Sequence, residues 1–111
     1  MIARILTLAA ALTGGTAAGA MTAPDVETHV PRMSRFLEWR LDGNQALFIR
    51  ADNGRWYHAT LRTPCPRIVN RVAVRFISSP GDRFNRESAV NADGWRCLVA
   101  SVTASDGPPG R

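Results

Sequence analysis

Past residue 34 the apolar positions of this chain recur mostly every second residue. Leu37, Trp39 and Leu41 alternate with Phe36, Glu38 and Arg40, which predicts a strand with one buried face. Asp42-Gly43-Asn44 supplies a turn. Ala46 to Ala51 reads as a second strand and Arg55 to Arg62 as a third. Between them lies Asn53-Gly54, the strongest short hairpin signal, because both residues tolerate positive φ. With those two as the loop, Asp52 faces Arg55 and Phe48 faces Ala59.

Thr63-Pro64-Cys65-Pro66 interrupts the alternation, since proline has no N–H to give a ladder. A corner is expected there, with room for a short helical turn up to Asn70. Val72 to Ile77 reads as a fourth strand, with Val72, Val74 and Phe76 on one face. Ser78 to Arg86 is a long polar loop around Pro80-Gly81-Asp82. Ser88 to Asn91 is a short fifth strand, and Ala92-Asp93-Gly94 a turn. Trp95 to Thr103 is the last strand, with Leu98, Ala100 and Val102 on one face and Cys97 and Val99 on the other.

No window after the leader has helical periodicity. Short strands separated by turn signals predict an all-β domain, a small antiparallel barrel or sandwich of about five to six strands. The domain covers residues 34–104. Residues 21–33, polar and carrying Pro24 and Pro31, read as a flexible linker, and residues 105–111, rich in proline and glycine, as a disordered tail.

The N-terminus has a different pattern. Arg4 precedes an uncharged apolar run from Ile5 to Thr13; Gly14 and Gly15 follow, then small residues ending Ala18-Gly19-Ala20. This is the layout of a signal peptide spanning residues 1–20, cleaved after Ala20. The apolar run is shorter than the roughly 20 residues a membrane span needs. No cysteine lies next to the cut, so the signal is of the soluble kind rather than lipid-anchoring. The expected location is periplasmic or extracellular.

Export changes how the two cysteines read. A mature domain of about ninety residues has little core to stabilise it. An even cysteine count in an oxidising compartment predicts a disulfide, here Cys65 with Cys97. A metal pair or a reactive thiol is the alternative, but no cysteine or histidine stands at zinc-ligand spacing.

The net charge is +5, and all 14 cationic side chains are arginine. That balance suits an anionic partner or an acidic protein in the cell envelope. Arginines scattered along the chain over a solvated surface explain it better, and export argues against nucleic acid.

Gly54-Arg55-Trp56-Tyr57, continued by Ala59, Leu61, Pro64 and Cys65, resembles a family of small exported bacterial proteins that form a domain of unknown function. Trp39 before Leu41-Asp42, the Arg-Phe-Asn-Arg segment Arg83 to Arg86 and Cys97 in the last strand follow in the same order. The resemblance spans about residues 34–103. Many members of that family look like lipoproteins, from which this chain departs at its cleavage site. The resemblance implies no activity and no site residues.

The side chains offer little catalytic chemistry. His29 lies in the linker, and His58 shares a strand face with Trp56, a position more often structural than catalytic. Ser78 and Ser79 lack a nucleophile-elbow pattern, and no phosphate-binding glycine loop or calcium loop occurs. The acids Asp42, Asp52, Asp82 and Asp93 fall at turns, where local backbone N–H groups use them. The reading is a non-enzyme without catalytic residues, metal or cofactor.

The candidate binding surface is the Ser78–Arg86 loop, where Arg83 and Arg86 flank Phe84 and combine cation with aromatic ring; the competing reading, which the loop favours, has Phe84 plugging the barrel end with the arginines solvated. The hairpin residues Arg50, Arg55, Trp56 and Tyr57 form a second candidate. The expected function is a binding or envelope-interaction module. The alternative is an inhibitor of a secreted hydrolase such as a lysozyme or protease, with a hydrolase built on His58 as a weaker third.

Overall fold

The computed structural model describes residues 26–70 and 73–110. The signal peptide, residues 1–20, lies outside the described residues, as does Val72. Six strands form: β1 Glu38–Leu41, β2 Ala46–Arg50, β3 Trp56–Leu61, β4 Val74–Ile77, β5 Ala89–Ala92 and β6 Trp95–Ser105. Short 3-10 turns occupy Met33–Arg35 and Pro66–Asn70. The domain is all-β, as the alternation predicts.

The strands make one antiparallel sheet in the order β1-β2-β3-β6-β5-β4. β6 is the long central strand. Its first four residues pair with β5 and its remainder with β3. The sheet curls into a half-barrel, and its two end strands meet through side chains. The Phe76 ring of β4 lies 5.2 Å from Phe36 and 5.8 Å from Trp39, edge to face in both cases. Aromatic contact therefore covers edges that would otherwise present unpaired backbone.

The core lies inside the curl. Leu47, Ile49, Tyr57, Ala59, Leu61, Val90, Ala92, Cys97, Val99 and Val102 all point there and are buried. The Cys65–Cys97 disulfide, with Cα atoms 6.0 Å apart, ties the corner after β3 to β6.

Several local readings change. The β2–β3 loop has three residues, not two: Ala51 N donates to Arg55 O and Gly54 N to Ala51 O, both at 2.9 Å. Gly54 takes φ +86 while Asn53 stays at negative φ. The Asn53 side chain instead accepts a bond from Arg55 N at 2.9 Å, as in a type I turn closed by a glycine bulge. The register slips by one, so Phe48 opposes His58 rather than Ala59.

In β6 the predicted faces mix. Leu61 pairs with Val99 but Thr60 with Ser101, so Ala100 is an extra residue, a bulge. The bulge reverses the alternation, and Val102 joins Cys97 and Val99 inside while Leu98 and Ala100 face out. In β1 the apolar face shortens: Leu37 precedes the strand and is 55% exposed, while Trp39 and Leu41 pack against the core.

The predicted linker, as far as it is described, is a docked strap. Thr28 N donates to Val102 O at 2.8 Å, and Val102 N donates to Glu27 Oε2 at 2.9 Å. Val30 exchanges backbone bonds with Phe84 at 2.9 and 3.0 Å. Val30 and Met33 are buried, which gives the strap its apolar anchors. The tail boundary also moves, because β6 continues to Ser105, whose Oγ accepts a bond from Gly107 N at 3.0 Å.

Candidate binding site

The Ser78–Arg86 loop does not present the predicted clamp. Phe84 is 0% exposed, its ring set perpendicular to Phe76 at 5.5 Å, and it plugs the half-barrel under the strap. Burying a phenylalanine removes more apolar surface from water than any other position in this loop can offer, so the ring turns inward. Arg83 and Arg86 remain exposed on either side without an aromatic face between them.

The loop's polar groups are engaged internally. Ser79 N and Oγ both donate to Arg83 O, and Asn85 N donates to Ser88 Oγ. Asp82, at φ +59, accepts from Ser34 N at 2.9 Å and from Ser34 Oγ at 2.6 Å. The loop serves as a fixed plug between strap and sheet.

His58 Nε2 lies 2.8 Å from Asp42 Oδ2, and its ring packs 4.8 Å from Phe48. The histidine thus ties β3 to the β1–β2 turn. A histidine held by a carboxylate is half of a catalytic triad. The other half is missing: among the described residues no hydroxyl or thiol is hydrogen-bonded to His58, and the Thr60 and Ser101 hydroxyls bond each other at 2.6 Å.

The second predicted surface divides. Arg50 is drawn toward β1, with Nη1 3.4 Å from Glu38 Oε2 and Nε donating to Gly54 O. Arg55, Trp56 and Tyr57 line a cleft of about 580 Å³ where the strap, the start of β3 and the end of β6 meet. Trp56 and Tyr57 are both buried, Tyr57 toward the core and Trp56, the preceding residue of β3, toward the opposite face. Arg55 is exposed, and no ion pair holds it among the described residues. Glu27 and Asp106 stand at the other wall, Glu27 committed by its bond from Val102 N. Glu27 and Asp106 escape sequence reading because they belong to segments read as linker and tail.

A shallower groove of about 330 Å³ follows the seam between β1 and β4, bordered by Phe36, Trp39, Phe76 and Arg75.

The ion pairs sort the arginines. Arg32 binds Asp52 at 2.7 Å, Arg40 and Arg50 share Glu38 at 3.3 and 3.4 Å, and Arg67 binds Asp93 at 3.1 Å. The Arg32 side chain, hydrogen-bonded to Asp52, holds that carboxyl below its usual value of 3.8, and burial opposes the shift. Arg32 is pushed up in return, by the same hydrogen bond and the carboxylate charge. No acid pairs with Arg62, Arg75 or Arg96 among the described residues.

No group of three or more histidine, cysteine, aspartate or glutamate side chains able to hold a metal occurs among the described residues. No described helix is long and apolar enough to cross a membrane. Comparison with protein-family models, with curated proteins and with solved structures finds no match.

Proposed function

We propose that this chain is an exported binding module of the bacterial cell envelope, and that its ligand seats in the cleft between strap, β3 and β6. The observation that carries the reading is that cleft, a space of about 580 Å³ lined by Trp56 and Tyr57 beside Arg55, with which no acid pairs among the described residues. A concave site with an apolar wall and a few placed polar groups is how small ligands and chain ends are commonly held. The preferred ligand has an apolar or planar body and one anionic group, the body against the aromatics and the anion on the guanidinium. The leader sequence and the disulfide support export.

The test is capture from an envelope extract on the immobilised oxidised protein, compared with Arg55→Glu. A small molecule or peptide retained by the wild type and lost from the variant supports the reading. Equal retention by both refutes the cleft. Recovery of a lysozyme or protease whose activity is lost on binding assigns the chain to the inhibitors instead. An exported form that retains Met1 refutes signal cleavage.

A further inference from the structure

The pairing register assembles a second surface from residues far apart in sequence. Arg75 pairs with Asn91, and Asn91 with Arg96, so these three form one cross-strand row. Ile77, Ala89 and Leu98 form the parallel row two residues along each strand. Both rows lie on the outer face, since the alternate residues Phe76, Val90, Cys97 and Val99 pack inward; Ala89 is covered there, and Leu98 and the half-buried Ile77 are the accessible apolar side chains. Arg62 extends the apolar row as the neighbour of Leu98, its N donating to Leu98 O at 2.9 Å and its Nε to Val99 O at 3.1 Å.

The result is a sheet face on which Arg62, Arg75 and Arg96 frame Leu98, which is 43% exposed. No acid occupies these positions, and none pairs with the three arginines among the described residues.

We propose that this face docks on an anionic phospholipid surface. Strands in a sheet lie about 4.8 Å apart, so Arg75 and Arg96, one strand between them, stand roughly 10 Å apart. That spacing suits neighbouring headgroups lying side by side. A leucine set among the cations matches the apolar–polar boundary just below the headgroups. A nucleic-acid backbone would use the charges and leave Leu98 and Ile77 without a partner.

Each arginine close to an anionic leaflet is worth about 1 kcal/mol, or about fivefold in affinity. The proposal rests on the envelope reading above but not on the cleft.

Co-sedimentation of the oxidised full chain with vesicles tests it. Binding to vesicles of phosphatidylglycerol mixed with phosphatidylcholine, absent with phosphatidylcholine alone and weakened by added salt, is the expected result. Arg96→Gln should weaken binding about fivefold, and Arg75→Gln/Arg96→Gln about 25-fold. Both residues are exposed and carry no ion pair, so folding should survive, which a thermal melt checks. Leu98→Ser should weaken binding at unchanged charge, and Arg55→Gln should leave it intact.

Absence of binding to the mixed vesicles overturns the proposal, and so does a double variant that binds like wild type. Duplex DNA that displaces the vesicles and binds the leucine variant Leu98→Ser undiminished also overturns it, in favour of nucleic acid. Each of these failures leaves the extract-capture result for the cleft untouched.

Discussion

Removing the disulfide as Cys65→Ala/Cys97→Ala should cost this domain much of its stability. The bridge closes a loop with a sequence separation of 32. In the chain-entropy account, a loop of that length withholds about 12 cal/mol/K from the unfolded chain, about 3.7 kcal/mol at 25 °C. Small domains lose about 4–8 °C of Tm per kcal/mol, so the melting point should fall by about 15–30 °C. Alanine is the right replacement because Cys65 and Cys97 are both buried, and serine would add buried hydroxyls.

The assay is thermal and guanidinium unfolding of the oxidised wild type and the double variant. The denaturant slope should rise as well, since an uncrosslinked unfolded chain exposes more surface. Native bonds already hold the ends of the loop: Cys65 N donates to Asn44 O at 2.6 Å and Arg62 N to Leu98 O at 2.9 Å. Those bonds vanish on unfolding and cannot substitute for the covalent link. A Tm loss under about 5 °C with an unchanged slope would refute the reasoning, because the bridge would then not be restricting the unfolded chain.

Other substitutions separate competing roles. Phe84→Ala should cost about 3–5 kcal/mol in chemical denaturation and speed hydrogen exchange at the Val30 amide, whereas an exposed binding ring would leave both unchanged. Asp52→Asn should flatten the acid limb of the stability–pH profile in urea. The folded carboxyl titrates below its usual 3.8, so its contribution is complete above that value and is lost as pH falls through the folded value. A variant whose acid limb matches wild type would show that Arg32 does not stabilise the charge. Gly54→Ala should cost about 1–2 kcal/mol from backbone strain alone, since φ is +86 and no atom lies within 4 Å of the added Cβ.

What could be read from the sequence was local. Alternation over 46–51 and 55–62 marks β2 and β3 because a strand's faces repeat every two residues. The disulfide followed from a cysteine count of two and the leader. The failures come from choices made by distant partners. Nothing in Leu98-Val99-Ala100 announces the bulge; the mismatch with β3 creates it. Asn53-Gly54 suits two hairpin geometries, and the bond between the Asn53 side chain and Arg55 N accompanies the longer one. Val30 and Met33, isolated in a polar stretch with proline, carry no period, so docking of the strap was invisible. Phe84 in a polar loop reads either as an exposed ring or as a plug of the barrel end, and its neighbours Phe76 and Val30 decide for the plug. Arg62, Arg75 and Arg96 look scattered along the chain and become one surface only through the register.

The half-barrel is held closed at several places, and each fastening joins segments distant in sequence. Phe36 and Trp39 meet Phe76 across the open seam, Cys65 bonds Cys97, and Val30 pairs with Phe84. Such non-local contacts must all be reached before any part of the core is sealed, which favours slow and cooperative folding. β6 is the element that couples them. Its first residues carry Trp95, Arg96, Leu98 and the disulfide, and its last residues form one wall of the cleft beside the strap. The bulge at Ala100 separates these two parts and changes which side chains face inward. A strand without that extra residue would turn Val102 out of the core, or else turn Cys97 away from Cys65. One irregular residue therefore lets a single strand serve the buried disulfide at one end and the cleft at the other.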